Sequence, residues 1–278
     1  MKVQLAGVQY DGRAVDLTDR GLSPSAVAAA VREEGAGGVD LTVRCPDPGP
    51  VHDRVGVVTP NATVSVRAAL AAAARSRGLS APQDDEIAAT ANRIAAVDVP
   101  DVSLQEARRR VAEAEGDETE LRERVAALRG RVQALRETGT DPADAEAELA
   151  TATRQLSEAE TERIAAEQAL ERARDRAETA HDRREERLRL RDRKANLERA
   201  ARDHLARQVH AEFRDAVAAV PGEGSAGTRP GEFEGDDATA ALAVARVADV
   251  DAPLVLAVDR FASATAAADR LDVPVLHV

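Results

Sequence analysis

Three side chains able to bind metal or act as nucleophiles lie near one another early in the chain, in a segment rich in proline and glycine. They are Cys45, His52 and Asp53. A thiolate, an imidazole and a carboxylate are the groups from which zinc sites and activated nucleophiles are built. However, six residues separate Cys45 from His52, and no second cysteine or nearby histidine completes a tetrahedral set. We therefore predict a small buried thiol beside a loop histidine, with no catalytic, metal or cofactor site.

Two further sequence patterns could also indicate a catalytic or ligand-binding site. Asp259 directly follows the apolar run 254–258, and a carboxylate at the end of a buried strand occupies a position where α/β proteins often bind ligands. We interpret it as a helix-capping or switch-point carboxylate; if the protein is an enzyme, Asp259 and the loop trio are the candidate site. Residues 222–227 match G-x-G-x-x-G, but they follow a long predicted helix, so we interpret the match as chance.

The composition excludes several chemistries. Lys2 and Lys194 are the two lysines in the chain, and neither lies in the G-x-x-x-x-G-K-[ST] context of a phosphate-binding P-loop. Schiff-base catalysis needs a positioned lysine, and Lys194 lies on a highly charged predicted helix. The single cysteine excludes an internal disulfide and multi-cysteine zinc sites. With 50 acidic and 38 basic residues, the net charge of −12 argues against general coating of nucleic acid or anionic membranes.

One segment departs from this acidic balance. Residues 181–202 hold nine basic and five acidic side chains. On a helix, Arg184, Arg187, Arg191 and Arg202 fall within one narrow stripe. This arginine stripe predicts contact with nucleic-acid phosphates, ion pairs along a helix, or a helix that faces an acidic surface of its own chain. We favour the ion pairs, because no aromatic residues accompany the stripe to stack on bases.

The elements that position these residues are clearest in the middle of the chain. A first stripe recurs at alternating spacings of three and four residues: Leu104, Ala107, Val111, Ala114, Glu118, Leu121, Val125, Leu128, Val132 and Leu135. A second stripe has the same period: Ala145, Leu149, Ala152, Leu156, Ala159, Arg163, Ala166, Leu170, Ala173 and Ala177. Each stripe has one charged member. The period is typical of coiled coils, and the break at 138–142 predicts an antiparallel hairpin of two helices.

The chain ends predict a small α/β base. Strands at 3–8 and 13–17 around an Asp11-Gly12 turn, a helix ending at Gly35, strands at 39–44 and 54–58, and helices at 63–77 and 82–97 give the order ββαββαα. Residues 237–278 predict an αβαβ segment with a parallel crossover. We therefore expect an α+β or α/β fold in which both ends form the base: domain 1–98, hairpin 99–220, disordered linker 221–237 and segment 238–278.

Three resemblances follow from these patterns. The first 60 residues resemble the ubiquitin-like β-grasp fold in element order. The run 254–259 after an alanine-rich helix, together with the inserted hairpin, resembles the second half of an SMC/Rad50-type ATPase, in which the strand-terminal aspartate, here Asp259, helps to hold magnesium. Arg260 stands where that family has its catalytic glutamate, and the P-loop is missing, so ATP hydrolysis is not implied. The acidic, arginine-rich composition is similar to uncharacterised coiled-coil proteins of haloarchaea.

These observations favour a non-catalytic cytoplasmic scaffold that binds a protein partner, or a second copy of itself, through residues 103–178. We expect no cofactor and no membrane contact, because no apolar run approaches the length of a membrane span. The alternative is an SMC/Rad50-like accessory protein in DNA maintenance, which would use the arginine stripe on DNA.

Overall fold

The computed structural model describes residues 1–32 and 41–278 of the chain. They form a mixed helix-and-sheet protein with two compact units. Unit 1 comprises Met1–Ala89 together with Lys194–Val278, and unit 2 comprises Thr90–Arg193. Unit 1 is therefore formed by both ends of the chain. The helix end predicted at Gly35 and the start of the strand predicted at 39–44 lie outside the described residues.

The elements follow in chain order. The strands are β1 (Lys2–Leu5), β2 (Val8–Asp11), β3 (Ala14–Asp16), β4 (Leu41–Arg44), β5 (Val57–Val58), β6 (Gly224–Ala226), β7 (Phe233–Gly235), β8 (Leu254–Leu256) and β9 (Val275–His277). The helices are α1 (Pro24–Val31), α2 (His52–Val55), α3 (Val66–Ser76), α4 (Asp84–Ala96), α5 (Leu104–Glu137), α6 (Ala143–Ala219), α7 (Asp237–Val247) and α8 (Ala264–Leu271).

A four-stranded parallel sheet in the order β3-β9-β8-β5 forms the centre of unit 1. Its side chains alternate between two cores, as the pleat of a strand requires. Val15, Val255 and Leu276 face a core that also contains α1 and β1. Leu254 and Leu256 face the opposite core, which contains α3, α7 and the last part of α6. The predicted parallel crossover from strand through helix to the last strand is present as β8-α8-β9.

The first strands differ from the prediction. The tight turn joining β1 to β2 lies at Ala6-Gly7, where both residues have positive φ, whereas Asp11 ends β2. The chain then leaves this antiparallel sheet, ordered β2-β1-β4, and β3 joins the parallel sheet instead. The β-grasp expectation is therefore wrong in its topology, because the early strands are divided between two sheets.

The segment predicted as a disordered linker, 221–237, contains a two-stranded antiparallel sheet of β6 and β7. The ring of Phe233 packs 6.1 Å from that of buried Phe213 on α6. A Cβ at Gly222 would lie 2.0 Å from Thr239 Oγ1, and one at Gly224 would lie 2.6 Å from the Phe233 ring. The glycines that suggested a flexible linker are thus sites of close packing.

Unit 2 contains α5 and most of α6. The break predicted at 138–142 lies between the end of α5 at Glu137 and the start of α6 at Ala143. Every member of the first stripe is buried or half-buried, and every other residue of α5 is exposed. The second stripe is likewise buried or half-buried throughout. The period of 3.5 residues therefore identifies the buried side of each helix. At the end of α5, Gly139 has a φ of 73°, a left-handed conformation that favours glycine.

Candidate functional site

Ion pairs join the facing sides of α5 and α6 within unit 2. Near the turn, Arg136 Nη2 lies 2.6 Å from Glu146 Oε1. Farther from the turn, Arg122 Nη2 lies 3.8 Å from Glu160 Oε1. Partners become more distant in sequence as their distance from the turn increases. Between the ion pairs lies a small apolar cluster formed by Val125, Leu128 and Ala152, with Leu149 and Leu156 at its edge.

The charged members of the two stripes meet each other. Glu118 Oε2 accepts a contact of 2.6 Å from Arg163 Nε, and its other carboxylate oxygen contacts Arg122. The Glu118 side chain is only 3% exposed, whereas those of Arg163 and Arg122 are 28% and 57% exposed. Contacts with Glu167 and then with Glu118 raise the pKa of Arg163. A charged pair inside an apolar seam favours the one alignment of the helices in which both charges have partners.

The outer side of the same helix carries apolar residues that the seam does not use. Ile164 and Leu188 on α6 are 47% and 57% exposed. Ile164 directly follows Arg163 and, at about 100° per residue, lies outside the second stripe on the exposed side of α6. Scattered exposed apolar residues are ordinary, but these two lie on an otherwise strongly charged helix. They are the side chains of unit 2 best suited to contact another protein surface.

The arginine stripe divides between the units, with Arg184, Arg187 and Arg191 in unit 2 and Arg202 in unit 1. Within the described residues none of the four makes an ion pair, and Arg187 Nε is buried without a hydrogen-bond partner. Their neighbours do have partners: Arg183 donates to the Asp98 carbonyl, Arg189 pairs with Glu185, and Lys194 pairs with Glu198. The ion pairs that we favoured are therefore formed by residues outside the stripe. In unit 1, Arg202 lines a cavity with Arg75 and Asp84.

Each member of the trio Cys45, His52 and Asp53 contacts a residue outside the trio. His52 is buried and its Nε2 donates to the Pro253 carbonyl oxygen at 2.9 Å. Burial lowers the pKa of His52, which favours a neutral ring. The Cys45 thiol lies 3.8 Å from the Val31 carbonyl oxygen. The exposed Asp53 carboxylate lies 3.7 Å from Arg32 Nη2. These contacts hold His52 as a packing residue beside Gly56, whose Cβ would collide with the ring.

The carboxyl edge of the parallel sheet brings together charged groups that sequence reasoning only partly identified. Asp259 is exposed there and makes no ion pair within residues 1–32 and 41–278. The next residue, Arg260, donates to Asp236 at 2.8 Å and to Thr239 at 2.9 Å. Burial alone would raise the pKa of Asp236, but hydrogen bonds from Thr239 and Arg260 lower it to about 2. Asp236 therefore serves as an ionised cap of α7, with its side chain accepting from the Thr239 backbone.

A second contact at this edge was missed. His277 Nδ1 lies 3.8 Å from Asp16 Oδ2, at the ends of the neighbouring strands β9 and β3. Hydrogen bonds from Thr18 are the main cause that lowers the pKa of Asp16, and His277 adds to it. Parallel pairing of the predicted strand 13–17 with the last predicted strand would have placed both residues at one edge. Within the described residues, no three histidine, cysteine, aspartate or glutamate side chains are grouped so that they could hold a metal ion.

Fold and contacts together define a protein with a parallel α/β unit formed by both chain ends and a second unit of long helices. The chain belongs to a family of unknown function, DUF7856, whose model matches residues 12–275. No curated protein and no solved structure matches the chain. In the part of the chain that the structure describes, no helix combines the length and apolar character needed to cross a bilayer.

Proposed function

We propose that this protein is a non-catalytic scaffold whose antiparallel coiled-coil hairpin, residues 103–178, associates with a second copy of the chain or with a protein partner. The observation that carries the proposal is the match between the two stripes and the buried sides of α5 and α6. A period of 3.5 residues keeps an apolar line facing a partner helix, which is the property of coiled coils. The proposal includes a cytoplasmic location and a salt-rich habitat, which the acidic, arginine-rich composition supports.

The composition of the second stripe supports self-association. Alanines occupy alternate positions of the stripe, and Ala145, Ala152 and Ala173 are almost completely buried. Small side chains allow two helices to approach closely but bury little apolar area per residue. A further helix packed against the hairpin would bury more, and the exposed Ile164 on the outer side of α6 offers apolar area for such a contact. A dimer in which hairpins pack side by side satisfies both features.

The test compares masses by light scattering. The wild-type chain of 29.4 kDa should have about twice that mass, and Ile164→Glu should return it to the monomer mass because a charge would be buried in the dimer contact. The control is Gln155→Glu, an exposed site on the same helix that lies half a turn round from Ile164 because nine residues separate them. Circular dichroism should give the same helical signal for all three proteins. A monomeric wild type, or a dimer unaffected by Ile164→Glu, would contradict self-association through this surface.

A second candidate function is an SMC/Rad50-like accessory role in DNA maintenance, with Arg184, Arg187 and Arg191 contacting the DNA backbone. It is supported by the lack of ion-pair partners for these arginines, in contrast to their paired neighbours. Their spacing of three and four residues gives about 4.5 to 6 Å of rise along the helix, which is suited to successive phosphates on one strand.

This candidate is tested by fluorescence anisotropy with a labelled DNA duplex. The wild type should bind with an affinity that falls steeply as salt is raised, and the triple Arg→Glu variant at 184, 187 and 191 should not bind. The matched control reverses three arginines that already pair with glutamates, Arg109, Arg110 and Arg174. An equal loss of DNA affinity in both triple variants, or no DNA binding by the wild type at moderate salt, would refute the role of the arginine stripe.

A further inference from the structure

An open cavity of about 560 Å³ lies in unit 1, between α3, the last part of α6 and the loop that joins β6 to β7. Three arginines line it, each from a different element: Arg67 from α3, Arg207 from α6 and Arg229 from the loop. One acid, Asp203, lines the same cavity. A basic cavity in a chain with a net charge of −12 calls for a specific explanation.

The positions of these residues follow from local structure. Asp203, Arg207 and His210 recur at spacings of four and three on α6 and therefore share one helix face. Arg67 belongs to the first turn of α3, where the Ser65 cap makes no side-chain hydrogen bond to the backbone. The positive end of a helix dipole thus adds to the charge of Arg67 at this end of α3.

The loop between β6 and β7 is held over the cavity. Arg67 Nε donates to the Pro230 carbonyl oxygen at 3.3 Å, and His210 Nε2 donates to the Gly227 carbonyl oxygen at 3.0 Å. Gly231 has a φ of 93° and its Cβ position lies 3.2 Å from Arg67 Nε, so a larger residue would be strained there. The loop is therefore fixed by contacts with two of the side chains that line the cavity.

The charges of the lining are only partly balanced. Arg67 Nη1 lies 3.2 Å from Asp203 Oδ1, and Arg229 Nε lies 3.9 Å from Glu232 Oε1 at the far side of the loop. Within the described residues Arg207 pairs with no acid. The Arg229 side chain is 82% exposed, so its contact with Glu232 is weak. An anion that enters the cavity could therefore bind the guanidinium of Arg207, which has no acidic partner within the described residues. It could also bind those of Arg67 and Arg229 by displacing or sharing their carboxylate partners.

We propose that this cavity is a binding site for a small molecule that carries a phosphate group. A guanidinium group can bind a phosphate through two parallel hydrogen bonds. Here three guanidinium groups line a cavity whose volume lies within the range of roughly 300 to 1,000 Å³ that is usual for ligand sites. A phosphate group carries nearly two negative charges, so one of them balances the unpaired Arg207. Each further arginine in the cavity then strengthens the binding of the phosphate. A monocarboxylate carries half that charge and binds less tightly. The cavity is independent of the hairpin and of its proposed role.

Isothermal titration calorimetry of the full chain tests the site with three probes: inorganic phosphate, glycerol 3-phosphate and acetate. We expect both phosphates to bind at least about tenfold more tightly than acetate, which is the effect of one added hydrogen bond between charged groups. Tighter binding of glycerol 3-phosphate than of phosphate would identify a phosphate ester as the ligand class, and the reverse order would identify the free anion. Phosphate binding no tighter than acetate would overturn the proposal.

Two variants locate the binding. Arg207→Gln should weaken phosphate binding at least about tenfold by removing the unpaired guanidinium. Its matched control is Arg214→Gln, an exposed arginine on the same helix that does not line the cavity. Asp203→Asn should tighten binding, because the competing carboxylate on Arg67 is neutralised. Equal affinities for the two arginine variants, or weaker binding by Asp203→Asn, would place the phosphate elsewhere and refute the site.

Discussion

The pair formed by Glu118 and Arg163 gives the sharpest prediction about the long helices. The substitution Glu118→Gln keeps the shape of the side chain and removes its charge. One amide oxygen can still accept from Arg163 Nε, but the amide nitrogen must then face Arg122, which can only donate. The change therefore replaces two charge-assisted contacts by one neutral acceptor inside a seam where the Glu118 side chain is 3% exposed.

The expected cost is about 2 kcal/mol. Hydrogen bonds to charged groups contribute roughly 1.5 to 3 kcal/mol each, and we take the lower part of this range because Arg122 is 57% exposed and can return to water. For a unit of this size the midpoint of thermal unfolding should fall by roughly 5 to 10 °C. The transition is followed by circular dichroism of the full chain.

Two further variants decide whether the cause is the pair itself. Glu123→Gln, on the exposed side of α5, should change the midpoint little. Replacing both members of the pair, by Glu118→Leu with Arg163→Leu, should recover most of the stability that Glu118→Gln loses, because no charge is then left in the seam without its partner. If Glu118→Gln unfolds at the same temperature as Glu123→Gln, the pair does not hold the helices in register and our reasoning is refuted.

Three other predictions concern unit 1, each read from thermal or denaturant unfolding. Phe213→Ala should lower the free energy of unfolding by about 3 to 5 kcal/mol, because the residue is only 1% exposed. A loss no greater than that of an alanine substitution at an exposed position would contradict this. Gly222→Ala should destabilise because its Cβ would lie 2.0 Å from Thr239 Oγ1 at a φ of 131°, and an unchanged midpoint would refute the packing. The hydrogen bond from Arg75 lowers the pKa of Asp84 to about 2, so its contribution is complete above pH 4 and is lost as the pH falls towards 2. Asp84→Asn should therefore flatten the wild-type loss of stability over that interval, and an identical pH profile would contradict the assignment.

The long helices were predictable because their signals are local and repeated. Ten positions in each stripe share one period, and Asp141 before Pro142 marks the start of α6, where the aspartate accepts from the Ala143 backbone. The meeting of Glu118 and Arg163 was also within reach of the sequence. Each is the single charged member of its stripe, and the two lie at similar distances from the turn at Gly139, so antiparallel helices place them side by side.

The errors came from features that depend on tertiary contacts. Asp11-Gly12 is the stronger turn signal by residue preference, yet Ala6-Gly7 forms the turn because β2 must pair with β1 before the chain crosses to the second sheet. In the segment 221–237, glycine content suggested freedom, whereas Gly222 is required by close approach to Thr239. The arginine cavity joins residues from three distant segments, and no local pattern indicates such a site.

The most direct test of the central claim measures distances between spin labels in unit 2. In a Cys45→Ser background, labels at Arg108→Cys and Glu137→Cys should lie about 44 Å apart if α5 is unbroken. Labels at Arg108→Cys and Arg172→Cys should lie within roughly 20 to 30 Å, since helices packed in antiparallel register have axes about 8 to 10 Å apart. A broad distribution beyond about 40 Å for the second pair would show that the two helices do not pack along their length, and the scaffold proposal would fail with them.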